Sequence, residues 1–320
     1  VKGGFLPKAL VLLDVPLPSF LRTTLESFCD TCPWSWLENE DSARLAEVRG
    51  MYTYSHPLVS GEIMDRLPGL KVISNFGVGV DHIDLQAAAK RRIPVGNTPG
   101  AVNGATADLT MALLLAAARN VVAGDRYARS PAFTRYDPSE LLGSEVFGRT
   151  LGIVGMGRIG QQVARRARAF DMRVLYHNRH RNLEAESVLG VIYASLEALL
   201  AESHFVTLNV PLTPETTHLI GESQLRQMRK DAILINAARG PVVEHPALYR
   251  ALAERWIAGA ALDVTEPEPL PRDHPLLALD NIVITPHLGS ATMGTRSRMG
   301  EMAAANLAAG LAGKQLPYQV

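Results

Sequence analysis

The sequence predicts an α/β protein of two lobes built on parallel sheets. Three observations lead there. An apolar strand, a glycine turn and an amphipathic helix follow one another between Thr150 and Arg181. Strand-like and helix-like runs alternate on both sides of that stretch. A chain of 320 residues also exceeds what one ordinary core accommodates.

Taken in order, Ala9 to Leu13 reads as a strand, Phe20 to Phe28 as a helix, Gly50 to Tyr54 as a strand and Ile63 to Leu67 as a short helix. Leu70 to Ser74 is a third strand, Asp84 to Lys90 a helix and Ile93 to Val95 a further strand, so a small parallel sheet covered by helices precedes the glycine turn. Cys29 and Cys32 have the C-x-x-C spacing of redox and zinc sites, but no second pair exists and the adjoining Pro33, Trp34 and Trp36 read as packing. Neither role, and no metal, is expected. From Asn103 to about Tyr127 the alanine-rich sequence predicts one long helix, hydrophobic on most sides and so buried, linking the two lobes.

Gly155, Gly157 and Gly160 then form G-x-G-x-x-G straight after the strand Leu151 to Val154. Three glycines alone make only a turn. Here Ile159, Val163, Ala167 and Phe170 recur at helical spacing behind them and Val174 to Tyr176 form the next strand, which is the setting of a Rossmann dinucleotide-binding unit. Gly155 permits the tight turn, Gly157 lets backbone approach a pyrophosphate, and Gly160 brings helix close to strand. The phosphates would rest on the free amides of the helix N-terminus. The alternation resumes with Phe205 to Val210, Gln224 to Met228, Ala232 to Asn236, Pro246 to Ala253, Ala258 to Asp263 and Ile282 to Thr285, and closes with a helix over Thr295 to Ala312.

Composition narrows the partners. Apolar residues make up 47% and charged residues 20%, and Lys plus Arg equal Asp plus Glu at 32 each, so neither a nucleic-acid surface nor a polybasic membrane anchor is expected. The longest apolar runs, such as Met111 to Ala118, are far short of a membrane span, and VKGGFLPKAL lacks a signal-peptide core; the expected location is the cytoplasm.

Three polar signatures sit at consecutive predicted strand ends: Asn236-Ala-Ala-Arg239-Gly240, Asp263-Val-Thr-Glu266-Pro-Glu268-Pro269, and Pro286-His287-Leu-Gly289-Ser290. In an open parallel sheet the strand ends converge on the ligand crevice. Arg, Glu and His would then supply a cation for a carboxylate, a carboxylate partner and an acid/base.

At these residues the chain resembles the D-2-hydroxyacid dehydrogenase family. The resemblance also takes in Gly77-Val-Gly-Val-Asp81, the fingerprint, and Asn209-Val-Pro-Leu-Thr213-Pro-Glu-Thr216. LDVTEPEPLPRDHPLL and PHLGSAT look most like glyoxylate/hydroxypyruvate reductases, a group that includes 2-ketogluconate reductases. The resemblance implies a Rossmann domain, residues 103–286, inserted into a flavodoxin-like substrate domain, residues 1–102 and 287–320. It also implies a homodimer with the active site in the cleft between the lobes, acting on a small 2-keto or 2-hydroxy acid.

By the same resemblance His287 is the general acid that protonates the carbonyl oxygen as hydride arrives from the nicotinamide, and Glu268 bonds its other nitrogen and raises its pKa. Glu268 is preferred to Glu266 because it follows Asp263 by five residues and precedes proline. Arg239 binds the substrate carboxylate through its planar fork, and the amides of Val78 and Gly79 hold the other oxygen. Taken alone, the glycines around Val78 read as a turn. Asp263 receives the nicotinamide carboxamide, Thr106 contacts the cofactor from the linking helix, and Gly289 belongs to the same cofactor set. Arg158 and Ile159 meet the pyrophosphate, and Val210 and Pro211 cover the adenosine side.

The strand-end position that carries Asp or Glu in NAD enzymes is Asn178 here, followed by Arg179, His180 and Arg181. Asn does not repel a 2′-phosphate and the arginines offer donors to it. NADPH is therefore the expected cofactor, through Asn178, Arg179 and Arg181, with NAD the alternative. A family tryptophan that closes the substrate pocket, sometimes from the partner subunit, is missing; Phe133, Leu141 and Leu142 stand in that segment. Tyr54, Ser55 and His56 are further pocket candidates. The rival readings are a phosphite or 3-phosphoglycerate dehydrogenase and a nucleotide-sensing corepressor-like protein. The second of those dehydrogenases would need basic residues for a substrate phosphate and often a regulatory domain. The corepressor would draw support from disordered tails or a basic patch, which the sequence lacks.

Overall fold

The computed structural model describes residues 8–320, and the leader reading of the N-terminal segment rests largely on residues outside that range. The described residues form two compact units, one of residues 8–102 with 292–320 and one of residues 103–291.

The first unit carries β1 (Ala9–Leu13), β2 (Cys29–Pro33), β3 (Val48–Thr53), β4 (Val72–Asn75) and β5 (Val95–Gly96). All pair in parallel in the order β2-β1-β3-β4-β5, the doubly wound order of flavodoxin-like sheets. One face buries Leu12, Met51 and Ile73 beneath Met64 and Ala87 of the flanking helices and Leu67 of the loop after the first of them. The helix Met293–Leu311 returns to this unit, where Ala303 O accepts a 2.7 Å bond from Ser74 Oγ and Gly310 lies against Val72.

The second unit adds β6 (Thr150–Val154), β7 (Arg173–His177), β8 (Ile192–Tyr193), β9 (Phe205–Leu208), β10 (Ile233–Asn236), β11 (Gly259–Leu262) and β12 (Ile282–Ile284). Their order, β12-β11-β10-β9-β6-β7-β8, reverses direction between β6 and β9, which makes that point the ligand crevice of a Rossmann sheet. Successive residues serve opposite faces: Ile153, Tyr176, Phe205 and Ile235 join one core with Leu114, Val163 and Ala167, while Val154, Leu175, Val206 and Leu234 join the other with Leu199 and Leu248. Each fully buried side chain of this size contributes about 1.5–3 kcal/mol.

The structure departs from the sequence-based expectations at four points. The long helix from Asn103 to about Tyr127 is two helices, Asn103–Ala118 and Val121–Ala128, bent by 61°. Asn120 takes a left-handed φ of 52° and donates from Nδ2 to Leu141 O and Leu142 O at 3.2 and 3.1 Å, while Ser144 N bonds Ala118 O at 2.7 Å. A distant loop thus caps the first helix. The Cys29 segment, given no element from sequence, is edge strand β2, with Trp34 and Trp36 packed beside the core as read. Its thiols are buried, and that burial, above all, pushes each up to about 12, far from the reactive thiolate range. The helices Leu183–Leu189 and Leu196–Glu202 and the short strand β8 between them were not anticipated. Residues 287–291 pack with the second unit, not with the terminal helix. No single helix among the described residues is long and apolar enough to cross a membrane.

Candidate active site

The dinucleotide cradle forms where β6 meets β9. Gly155 has φ of 103°, and a Cβ there would lie 2.6 Å from Asn209 O, so the turn admits only glycine. At Gly160 a Cβ would meet Gly155 O at 2.1 Å, which fixes how closely the helix Arg158–Arg168 approaches the strand. Around Gly157 a Cβ would meet nothing within 4 Å, leaving open space in front of first-turn amides that lack intrahelical partners. Those amides belong to exposed Arg158, half-buried Ile159 and Gly160. Val210 lies beside this turn, its Cγ1 3.0 Å from a Cβ built at Gly155, and exposed Pro211 follows it. The residues fit a nicotinamide dinucleotide.

Asn178 directly follows β7 and accepts from Met156 N at 2.7 Å, binding that loop to the fingerprint. Arg179 is exposed, and its charge reaches Glu215, whose carboxyl is held low first by the Thr213 hydroxyl and only last by Arg179. Arg181 is committed otherwise: its Nη2 bonds Glu186 Oε2 at 2.6 Å, its Nε bonds Oε1 at 3.0 Å, and it lies over the Tyr193 ring. Glu186 also accepts from Tyr176 Oη at 2.6 Å.

The polar group at the ends of β10, β11 and β12 is tightly built. Buried Asn236 donates to Arg239 O at 2.8 Å and accepts from Ala238 N at 3.0 Å, holding the loop that presents half-buried Arg239 in extended conformation. Asp263, 2% exposed, accepts from Thr285 Oγ1 at 2.6 Å, Leu288 N at 2.7 Å and Gly289 N at 2.8 Å. Gly289 O in turn accepts from Thr106 Oγ1 at 3.1 Å, so Thr106 and Gly289 share one contact.

His287 Nδ1 stands 2.6 Å from Glu268 Oε1, and Glu268 Oε2 accepts from Thr265 N at 3.3 Å. Burial alone would raise the Glu268 carboxyl. The His287 hydrogen bond and charge, the Thr265 amide and the Arg239 charge outweigh it and hold the carboxyl below its ordinary value. Glu266 turns elsewhere, its Oε2 3.1 Å from His218 Nε2 and its amide bonded to His245 Nε2 at 3.2 Å. His287 itself has a left-handed φ of 56°, a cost a non-glycine residue bears only when its surroundings impose it. Beside the group lies a cavity of about 560 Å³ that reaches Asp263, Glu268 and His287 and is walled by Leu270, Leu276 and Arg272. Among the described residues no cluster of His, Cys, Asp and Glu is placed to hold a metal ion.

Val78 and Gly79 lie in the first unit, after β4. Gly77 O accepts from Thr98 N at 3.0 Å, and Asn97 Nδ2 donates to Val78 O at 2.8 Å. Tyr54 and Ser55 are tied through their amides to Asp14, at 2.8 and 2.6 Å. Nothing in the sequence pattern singles out Thr285 or His245, because each acts through a contact with a residue more than twenty positions away.

A family profile for D-isomer specific 2-hydroxyacid dehydrogenase, NAD binding domain, matches residues 111–289. A glyoxylate reductase of Korarchaeum cryptofilum is 54% identical over 252 residues, 78% of this chain and 76% of that one. A glyoxylate reductase of Thermofilum pendens is 43% identical over 321 residues, 98% of this chain and 94% of its own. Among solved structures, the NADPH-dependent glyoxylate/hydroxypyruvate reductase of Sinorhizobium meliloti, in complex with NADP and malonate, superimposes with a TM-score of 0.88 at 30% identity, covering 98% of this chain and 97% of that one.

Proposed function

The chain belongs to the D-2-hydroxyacid dehydrogenase family, and from that premise we propose that it reduces small 2-keto acids, glyoxylate and hydroxypyruvate first and 2-ketogluconate as a further candidate, to D-2-hydroxy acids with NADPH. Its class is that of NAD(P)-dependent oxidoreductases acting on CH–OH groups. The observation that carries the reading is the His287–Glu268 pair at 2.6 Å, within reach of the Arg239 charge.

When bound, the nicotinamide dinucleotide supplies hydride to the carbonyl carbon. Gly155, Gly157, Arg158, Ile159 and Gly160 would hold its pyrophosphate, Val210 and Pro211 its adenosine side, and Thr106, Asp263 and Gly289 its nicotinamide side. Asn178 and Arg179 would take the 2′-phosphate; Arg181, neutralised by Glu186, adds little. With Nδ1 of His287 committed to Glu268, Nε2 is the nitrogen that gives a proton to the carbonyl oxygen and takes it back in reverse. Glu268 stabilises the imidazolium that donates. Arg239 binds a carboxylate through its planar fork, and the Val78 and Gly79 amides of the first unit are assigned as carboxylate donors.

The enzyme is also proposed to act as a homodimer. Tyr136, Leu142 and Phe147 are 81%, 74% and 64% exposed within one short segment, an apolar surface suited to a second copy. Rates of NADPH and NADH oxidation with glyoxylate, hydroxypyruvate and 2-ketogluconate test the function. Faster turnover with NADPH and glyoxylate is expected, and no turnover of any of the three would end the proposal.

A further inference from the structure

We infer that Asn75 and Asn97 are positioning residues that aim the Val78 and Gly79 amides, and so set the affinity for the substrate carboxylate without taking part in the chemistry. The inference rests on the assignment of those amides proposed above.

Asn75 is fully buried at the end of β4, and both of its side-chain donors and its acceptor oxygen are engaged. Its Nδ2 donates to Gly77 O at 3.1 Å and to Gly79 O at 2.8 Å, and its Oδ1 accepts from Thr53 Oγ1 at 2.9 Å. The atom facing two carbonyls must be the NH2, so the amide has one orientation. Asn97 Nδ2 takes the carbonyl between, Val78 O, at 2.8 Å. Asn97 is itself anchored by its backbone, its N bonding Tyr318 O at 3.0 Å and its O accepting from Asn306 Nδ2 at 3.0 Å.

Three consecutive carbonyls are therefore pulled toward two side-chain amides. In a trans peptide the C=O and N–H point opposite ways. Fixing Gly77 O turns Val78 N–H away from Asn75, and fixing Val78 O turns Gly79 N–H away from Asn97. Each donor is thus held pointing away from the asparagine that fixes its own peptide, and Val78 is 36% exposed. Successive outward amides make an anion-binding concavity, and one held in advance binds a carboxylate without reorganising. A carboxylate is not the reacting centre, so the contact is as strong in the ground state as in the transition state and governs KM and not kcat.

The test is Asn97→Asp, a same-shape change at a half-buried position that sets a carboxylate oxygen against Val78 O. Asn75→Asp is the companion, and Asn97→Asp keeps the question open to refutation if burial of the new charge unfolds that protein. The readouts are KM and kcat for glyoxylate, Ki for oxamate as a non-reducible carboxylate, Kd of the dinucleotide by fluorescence, and the unfolding midpoint. A rise of roughly tenfold or more in KM and Ki is expected, with kcat within about threefold and the dinucleotide Kd unchanged. Unchanged KM and Ki in folded Asn97→Asp overturn the inference, as does a parallel loss of kcat and dinucleotide binding, which marks a general structural role. A wild type that neither reduces glyoxylate nor binds oxamate overturns the proposed function and the inference with it.

Discussion

Asp263 receives the main-chain amide of His287 on its own carbonyl oxygen at 2.9 Å, and spends both carboxylate oxygens on Thr285, Leu288 and Gly289 around it. One buried residue thus holds a histidine at φ 56°, where free chains rarely go. The side chain of His287 is then turned to Glu268. Asp263 is a builder of the site in its own right, whatever it also gives to a bound nicotinamide.

Removing that builder should therefore damage both stability and chemistry. Asp263→Ala leaves two amides and a hydroxyl without their acceptor, a loss of about 3 kcal/mol or more at roughly 1–3 kcal/mol per orphaned group. Thermal unfolding should show a lowered midpoint together with a reduced kcat. A variant as stable and active as the parent would show that the loop holds itself.

His287→Ala should lose roughly two to four powers of ten in kcat, the usual worth of a positioned proton donor, while still binding the dinucleotide. Steady-state kinetics beside a fluorescence titration separate the two. Near-normal turnover would remove His287 from the mechanism.

Arg239→Lys should be impaired in kcat/KM, because an ammonium cannot reproduce the two-pronged geometry of a guanidinium on a carboxylate. The comparison is made with glyoxylate at saturating cofactor. Equal values for the two enzymes would reduce Arg239 to a structural cation.

Dinucleotide choice should depend on Arg179 and not on Arg181. Asn178→Asp combined with Arg179→Ala should weaken NADPH binding far more than NADH binding, as measured by Kd. Arg181→Ala breaks a pair with Glu186 and should change both affinities by similar small factors. Wild-type protein that binds NADH more tightly than NADPH would refute the preference.

The pH dependence follows from Glu268. Its folded pKa lies below the ordinary 4.5, so its contribution to stability is fully present above that value and is lost as pH falls through the depressed one. The pair is half exposed, so the contribution is small, about 1 kcal/mol or less. Glu268→Gln should lower the unfolding midpoint at neutral pH, and the two proteins' curves should converge in acid. A constant gap down to the lowest accessible pH would exclude the linkage.

What could be read from sequence alone is local. G-x-G-x-x-G between an apolar strand and an amphipathic helix has one good backbone solution, and the structure takes it, with Gly155 at φ 103° and Gly160 against Gly155 O. Apolar runs marked β1, β3, β4, β6, β7 and β9 to β12 to within a residue or two, because strands buried on both faces leave a nearly continuous hydrophobic trace. Edge strands β2 and β8 leave none. Cys29–Pro33 buries only Cys29 and Cys32, three apart and so without a period of two, and Ile192–Tyr193 is too short for a period.

Tertiary contacts decided the rest. The break at Asn120 depends on Leu141 and Leu142, more than twenty residues away, and helical periodicity carries no record of them. Arg181 reads as a phosphate donor in sequence, yet Glu186 claims it in space, because a charge's nearest partner is set by how the following helix packs. Likewise Arg239, Glu268 and His287 are legible in their motifs as residue types, while their surroundings are set by Asn236, Asp263 and Thr285. Reactive side chains are few in kind and visible as types; the buried hydrogen bonds that aim them join strand ends distant in sequence, and only the folded chain brings those ends together.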